Sequence, residues 1–117
     1  MAAIQLENAI VDVSPEKISA WFAWNDLMLP GPPSFHVVGD IEVPNPGVDA
    51  FLHERVPQGI NPRVILLNLD LIQKPGIWPQ HVVKKQVRFD KIAATFCEVT
   101  IFSGDTVITT VPVIDVN

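Results

Sequence analysis

This chain of 117 residues has no tyrosine, a single cysteine, six scattered glycines and few charges. Asp, Glu, Lys and Arg together make up only 18% of it, below the share usual for globular chains. One cysteine excludes an intrachain disulfide. Dispersed glycines form neither a phosphate-binding loop nor a dinucleotide fingerprint. No run approaches the roughly 18 apolar residues that a membrane-spanning helix needs. The first residues, Met1-Ala-Ala-Ile-Gln-Leu-Glu, lack the basic segment and long apolar run of a secretory leader. A cytoplasmic protein without membrane contact is the resulting expectation. Neither a basic run nor a basic balance is present, so nucleic acid is not expected as a partner. The formal net charge is −5. The acids concentrate in residues 1–62, where eight of them face only Lys17 and Arg55. A small basic cluster, Lys84, Lys85 and Arg88, reads as a solvated strand face.

What is abundant is apolar. Hydrophobic residues reach 48% and there are eleven prolines. That composition excludes a disordered chain, and the length fits one domain over residues 1–117. Strand patterns recur at short spacing. Residues 4–13 alternate with one slip near Asn8, which predicts a bulge. In residues 35–43, Phe35, Val37, Ile41 and Val43 share a face with Gly39. In residues 63–73, Ile65, Leu67, Leu69 and Leu71 share one face, and the other is also largely apolar, as in a central strand. Further strands fall near 81–89, 95–102 and 106–116, with a hairpin turn at Ser103-Gly104-Asp105. Pro112 lacks a backbone donor, which puts the last strand at an edge or interrupts it.

Residues 14–62 are less regular. Ser14-Pro15-Glu16 is a helix-start signal, and Ile18, Trp21 and Phe22 follow at i, i+3, i+4. They predict a short helix near 15–24. The alternative is an aromatic loop packed on the sheet. Residues 44–62 hold Pro44, Pro46, Pro57 and Pro62 and no clear period. A connection of that length is functional or conceals an element, and residues 48–52 could supply a helical turn or a strand. The expected fold is all-β: an antiparallel β-sandwich of about six to seven strands with that one helix, or alternatively a small β-barrel.

Chemistry is sparse. His36, His53 and His81 have no ligand spacing, so no metal and no cofactor are expected. Asp40 and Glu42 share a strand face about 7 Å apart, a permissive separation for paired carboxylates without evidence of a cleft. No Gly-x-Ser-x-Gly elbow is present, and no catalytic residue is assigned. Cys97, in phase with Val99 and Ile101, reads as a buried, inert thiol. Aromatics are the clearest candidates for contact. Trp21 and Phe22 plug the core, whereas Trp24 and Trp78 lie near loop punctuation. The sequence thus favours a non-enzymatic binding or assembly module, acting on a partner protein or on itself as a homodimer. The alternative is a small enzyme or a ligand- or carbohydrate-binding protein with a site on the loops around residues 36–62 and 74–81. Trp24, Trp78, His53, Glu54, His36 and Asp40 are its candidate residues.

Overall fold

The computed structural model describes residues 17–117 and the backbone of residues 9–11. The chain is all-β. Its strands are β1 (Ala9–Val11), β2 (Ile18–Asp26), β3 (Ser34–Val43), β4 (Val48–Glu54), β5 (Val64–Gln73), β6 (Val83–Ile92), β7 (Glu98–Ser103) and β8 (Thr106–Val116). Hydrogen-bonded order runs β4-β5-β7-β8-β2-β3-β6, with β1 beside the end of β5. Two of these pairings, β5 with β7 and β2 with β8, are parallel, so the sheet is not purely antiparallel. The outermost strands, β4 and β6, come to lie side by side. The sheet therefore almost closes on itself, which is the barrel alternative. The bulge expected near Asn8 lies outside the described residues.

Alternation explains most of this. Phe35, Val37, Ile41 and Val43 on β3 are buried, as are Ile65, Leu67, Leu69 and Leu71 on β5 and Val99 and Ile101 on β7. These rows meet in one core. β5 is central, between β4 on one edge and β7 on the other, as its doubly apolar pattern requires. Pro112 does not lie on a free edge. β8 pairs with β7 as far as Pro112 and with β2 from Val113 onward. The residue without a donor sits where the strand changes partners, so the interruption expected there is real.

Of the two irregular segments, the first resolves differently from expectation. There is no helix among the described residues. Ile18–Asp26 is instead a strand between β3 and β8. The helical spacing is produced by a bulge. Register shifts between Ser19 and Phe22, and Ala20 adopts a left-handed φ of 55°. The extra residue puts Ile18 and Trp21 on the inner face, three apart, and turns Phe22 outward. Trp21 thus joins the core as expected, but Phe22 is 47% exposed. In the stretch that lacked a period, the strand alternative for residues 48–52 is the one realised: β4 occupies Val48–Glu54.

Two tryptophans sit on glycines. A Cβ built on Gly39 would lie 2.2 Å from Trp21 Cδ2, and one on Gly47 would lie 2.3 Å from Trp78 Cε2. Trp21 rests where the pleat of β3 lacks a side chain, and Trp78 rests on the turn at Gly47.

The seam between β4 and β6 has no backbone ladder among the described residues. Lysines bridge it. Lys85 Nζ donates to Pro46 O at 3.0 Å and to Val48 O at 2.5 Å, and lies 3.5 Å from Asp49. Lys91 Nζ donates to Glu54 Oε1 at 2.6 Å. Lys85 is therefore not part of a solvated basic face with Lys84 and Arg88. Its odd number puts it on the opposite side of β6.

Candidate functional site

Strand directions sort the loops into two ends. Segments 27–33, 55–63 and 93–97 gather at one end and segments 44–47 and 74–82 at the other, while the 104–105 turn lies part-way along β5, where Arg55 donates to Gly104 O and pairs with Asp105. The first end is tied together by main-chain bonds: Ala93 N donates to Pro33 O, and Cys97 N donates to Arg63 O. Asn25, buried, anchors it further. Its Nδ2 donates to Phe96 O and Asp115 Oδ1, and its Oδ1 accepts from Phe96 N. Gln58 fixes the 55–63 segment against β5 by donating to Leu66 O and accepting from Leu66 N. On this framed end several exposed side chains are apolar, beside the exposed Gln58, Asn61 and Arg63. Leu29, Val56 and Ile60 are almost wholly exposed, and Met28 and Ile92 are more than half exposed.

Cys97 also lies at this end and is exposed, not buried. The phase with Val99 and Ile101 is correct, but β7 begins only at Glu98. Cys97 therefore falls on the rim, where its Sγ donates to Arg63 O at 3.3 Å.

The outer face of β2, β3 and β6 carries a second arrangement, running toward the same end. Trp24 stacks on Phe22 with ring centroids 5.4 Å apart and on His36 at 5.1 Å. The Arg88 guanidinium lies 5.6 Å from the Trp24 ring centroid. Ser34 Oγ is 2.8 Å from His36 Nε2, and His36 Nδ1 is 2.5 Å from Asp90 Oδ1. Arg88 Nε donates to both Asp90 oxygens at 3.0 Å. The spacing has a simple origin. Ser34 and His36, two apart on β3, share a face, and register sets Asp90 directly opposite His36.

Burial alone would raise the Asp90 pKa. The hydrogen bonds from Arg88 and His36, and their positive charge, outweigh it and hold the carboxyl below its ordinary value of 3.8. The folded pKa is depressed, so the resulting stabilisation is present above the ordinary value and is lost as pH falls through the folded one. Carboxyl NMR titration should place the Asp90 midpoint below 3.8, and Arg88→Gln should move it upward. A midpoint unmoved by that substitution would refute the assigned cause.

The sequence candidates do not assemble into one site. Trp24 and His36 meet on the outer face. Asp40 is on the same face of β3, four residues farther along. His53 and Glu54 are consecutive on β4 and point to opposite sides. His53 Nε2 lies 2.5 Å from Asp70 Oδ2, whereas Glu54 accepts from Lys91 across the seam. Trp78 is at the other end of the molecule. It walls an open cleft of about 610 Å³ with Asn45, Gln73, Lys74 and Gln80. Its Nε1 donates to Lys74 O at 3.0 Å. Asn45 and Gln73 bond each other and turn backbone groups, so the cleft floor is internally satisfied.

Sequence reasoning missed Ser34, Arg88 and Asp90 as partners of His36, together with the apolar rim. The Ser34-x-His36 spacing was a visible signal for the first pair. No group of three or more metal-ligating side chains occurs among the described residues. No family model matches the chain, and no curated protein or solved structure is significantly similar to it.

Proposed function

We propose that the chain is a binding module that engages a partner protein through the apolar rim of residues 27–33, 55–63 and 92. The observation that carries this reading is the shared placement of Met28, Leu29, Val56, Ile60 and Ile92 at one end, all more than half exposed. Apolar side chains scattered singly over a surface need no explanation, but a cluster of them at one end of a domain is typical of a contact site. The segments are held by Asn25, Gln58 and the bond from Ala93 to Pro33, so little ordering cost remains on association. Projecting tips insert rather than receive, which makes the fitting partner one with a concave apolar surface. The edges of β4 and β6 face each other, so strand addition at that seam is a poorer route than the loops.

The test is cross-linking of the intact protein in its native extract, with contacts mapped by mass spectrometry. Cross-links should concentrate on the three rim segments and disappear in a Leu29→Asp/Ile60→Asp variant that keeps its fold. Contacts mapped to the outer sheet face, or unaffected by the double substitution, would overturn the assignment. Sedimentation at micromolar concentration separates a distinct partner from a second copy.

A further inference from the structure

We propose that Ser34, His36 and Asp90 form a nucleophilic relay that transfers the acyl group of a small carboxylic ester to Ser34 Oγ. The hydrogen bonds run in the order such chemistry requires: hydroxyl to imidazole, imidazole to carboxylate, at 2.8 and 2.5 Å. An ionised carboxylate can only accept, so the Asp90 contact fixes the imidazole proton on Nδ1. Nε2 is then left with a lone pair aimed at the Ser34 hydroxyl. Trp24, stacked on the imidazole, holds the ring in that plane. Arg88 keeps Asp90 charged and in place through both of its oxygens. The site is half-open: the His36 side chain is 18% exposed and that of Asp90 is 45% exposed.

The step balances as follows. Ser34 Oγ attacks the ester carbonyl carbon while His36 Nε2 takes the hydroxyl proton. The bond from the acyl carbon to the leaving oxygen breaks, and the imidazolium returns the proton to that oxygen, releasing an alcohol or phenol. Water, deprotonated by the same nitrogen, then attacks the acyl carbon; the bond from that carbon to Ser34 Oγ breaks, the imidazolium returns the proton to Oγ, and the carboxylic acid leaves. The nearest cation, Arg88, is committed to Asp90, so the relay supplies a base but no cation at the carbonyl. It therefore suits esters with a good leaving group, such as aryl esters. Ile92, the register partner of Ser34 and largely exposed, provides apolar surface for the acyl or aryl group.

A purely adhesive role for the same three side chains would give Ser34 no unusual reactivity, and this separates the two readings. The intact protein is treated with a fluorophosphonate, in which Oγ displaces fluoride at phosphorus, and the adduct is located by peptide mass. Labelling is expected at Ser34, absent in Ser34→Ala and retained in Ser19→Ala. General-base assistance of about 100-fold should be lost in His36→Gln. Asp90→Asn should slow labelling as well, because the Nδ1 proton is no longer held there. In the unmodified protein the labelling rate should rise with pH, because only the unprotonated imidazole can take the hydroxyl proton. That profile needs no variant and so does not depend on whether a variant folds. With p-nitrophenyl acetate, a stoichiometric burst of p-nitrophenolate should accompany acetylation of Ser34. No adduct at Ser34, a pH-independent rate, or equal rates in His36→Gln would each overturn the relay. Ile92 belongs to both surfaces, but loss of labelling in Ser34→Ala and its slowing in His36→Gln are specific to the relay, so they test it and not the partner-binding proposal.

Discussion

Gly39→Ala should destabilise the domain by about 2 to 4 kcal/mol, combining overpacking with displacement of a partly buried indole. The added methyl would sit 2.2, 2.4 and 2.5 Å from Cδ2, Cε2 and Cε3 of Trp21, over the middle of the ring system. No rotation of a long flexible chain end relieves such a contact, since the obstruction is a rigid plane. Trp21 must leave the inner face or β3 must move away from β2. Either change disturbs the core that Trp21 packs against. In water-exposed strands, alanine for glycine is neutral or slightly favourable, so the sign itself is informative. A double-mutant cycle isolates the cause. On a Trp21→Ala background the same substitution should lose most of its cost, leaving a coupling on the order of 2 kcal/mol in urea unfolding. An undiminished effect on that background would show that the strand, not the indole, needs the glycine.

Lys85→Met is the second substitution with a large expected effect, about 2 kcal/mol. Methionine preserves the apolar stem and deletes only the ammonium. Pro46 O and Val48 O lose a charged donor, and Asp49 loses one of its two cations. A hydrogen bond to a charged group contributes about 1.5 to 3 kcal/mol, discounted here because the lysine side chain is 29% exposed. The effect should be local. Amide exchange should accelerate in β4 and β6, which have no ladder between them, and much less in β5 and β7. Lys84→Met, one residue away and facing outward, serves as control and should change stability by less than about 0.5 kcal/mol. Equal effects of the two substitutions would mean that the seam is held by something other than Lys85.

The contrast between neighbouring lysines also shows what a sequence can disclose. Strict alternation made β3 and β5 legible, because each presents an unbroken buried row. It failed where one residue breaks the period. The bulge at Ala20 spaces Ile18 and Trp21 as a helix would, and local pattern alone cannot distinguish the two. β4 was obscured for another reason: its inward Ala50 is small, while Phe51 faces outward and is about half exposed, which blurs the apolar period. Cys97 followed the correct phase but lies one residue before its strand begins. The outer-face site was half visible. Ser34 and His36 share a face in any strand, but Asp90 is 54 residues away from His36 and is placed by the register of β3 on β6. Convergence of that kind is a property of topology. The apolar rim was likewise hidden, because its members come from separate loops whose common end is set by strand direction.

The partner exchange within β8 bears on the order in which this molecule can be made. A nascent polypeptide leaves the ribosome from its amino end, so β2, β3 and β6 of one half and the β4–β5 hairpin of the other emerge before β7 and β8. Until those two arrive, no backbone pairing among the described residues connects the two halves. Pairings across such distances form slowly, and waiting strands with open edges are prone to associate with other chains. Completion of the sheet therefore depends on the strand that changes partners at Pro112.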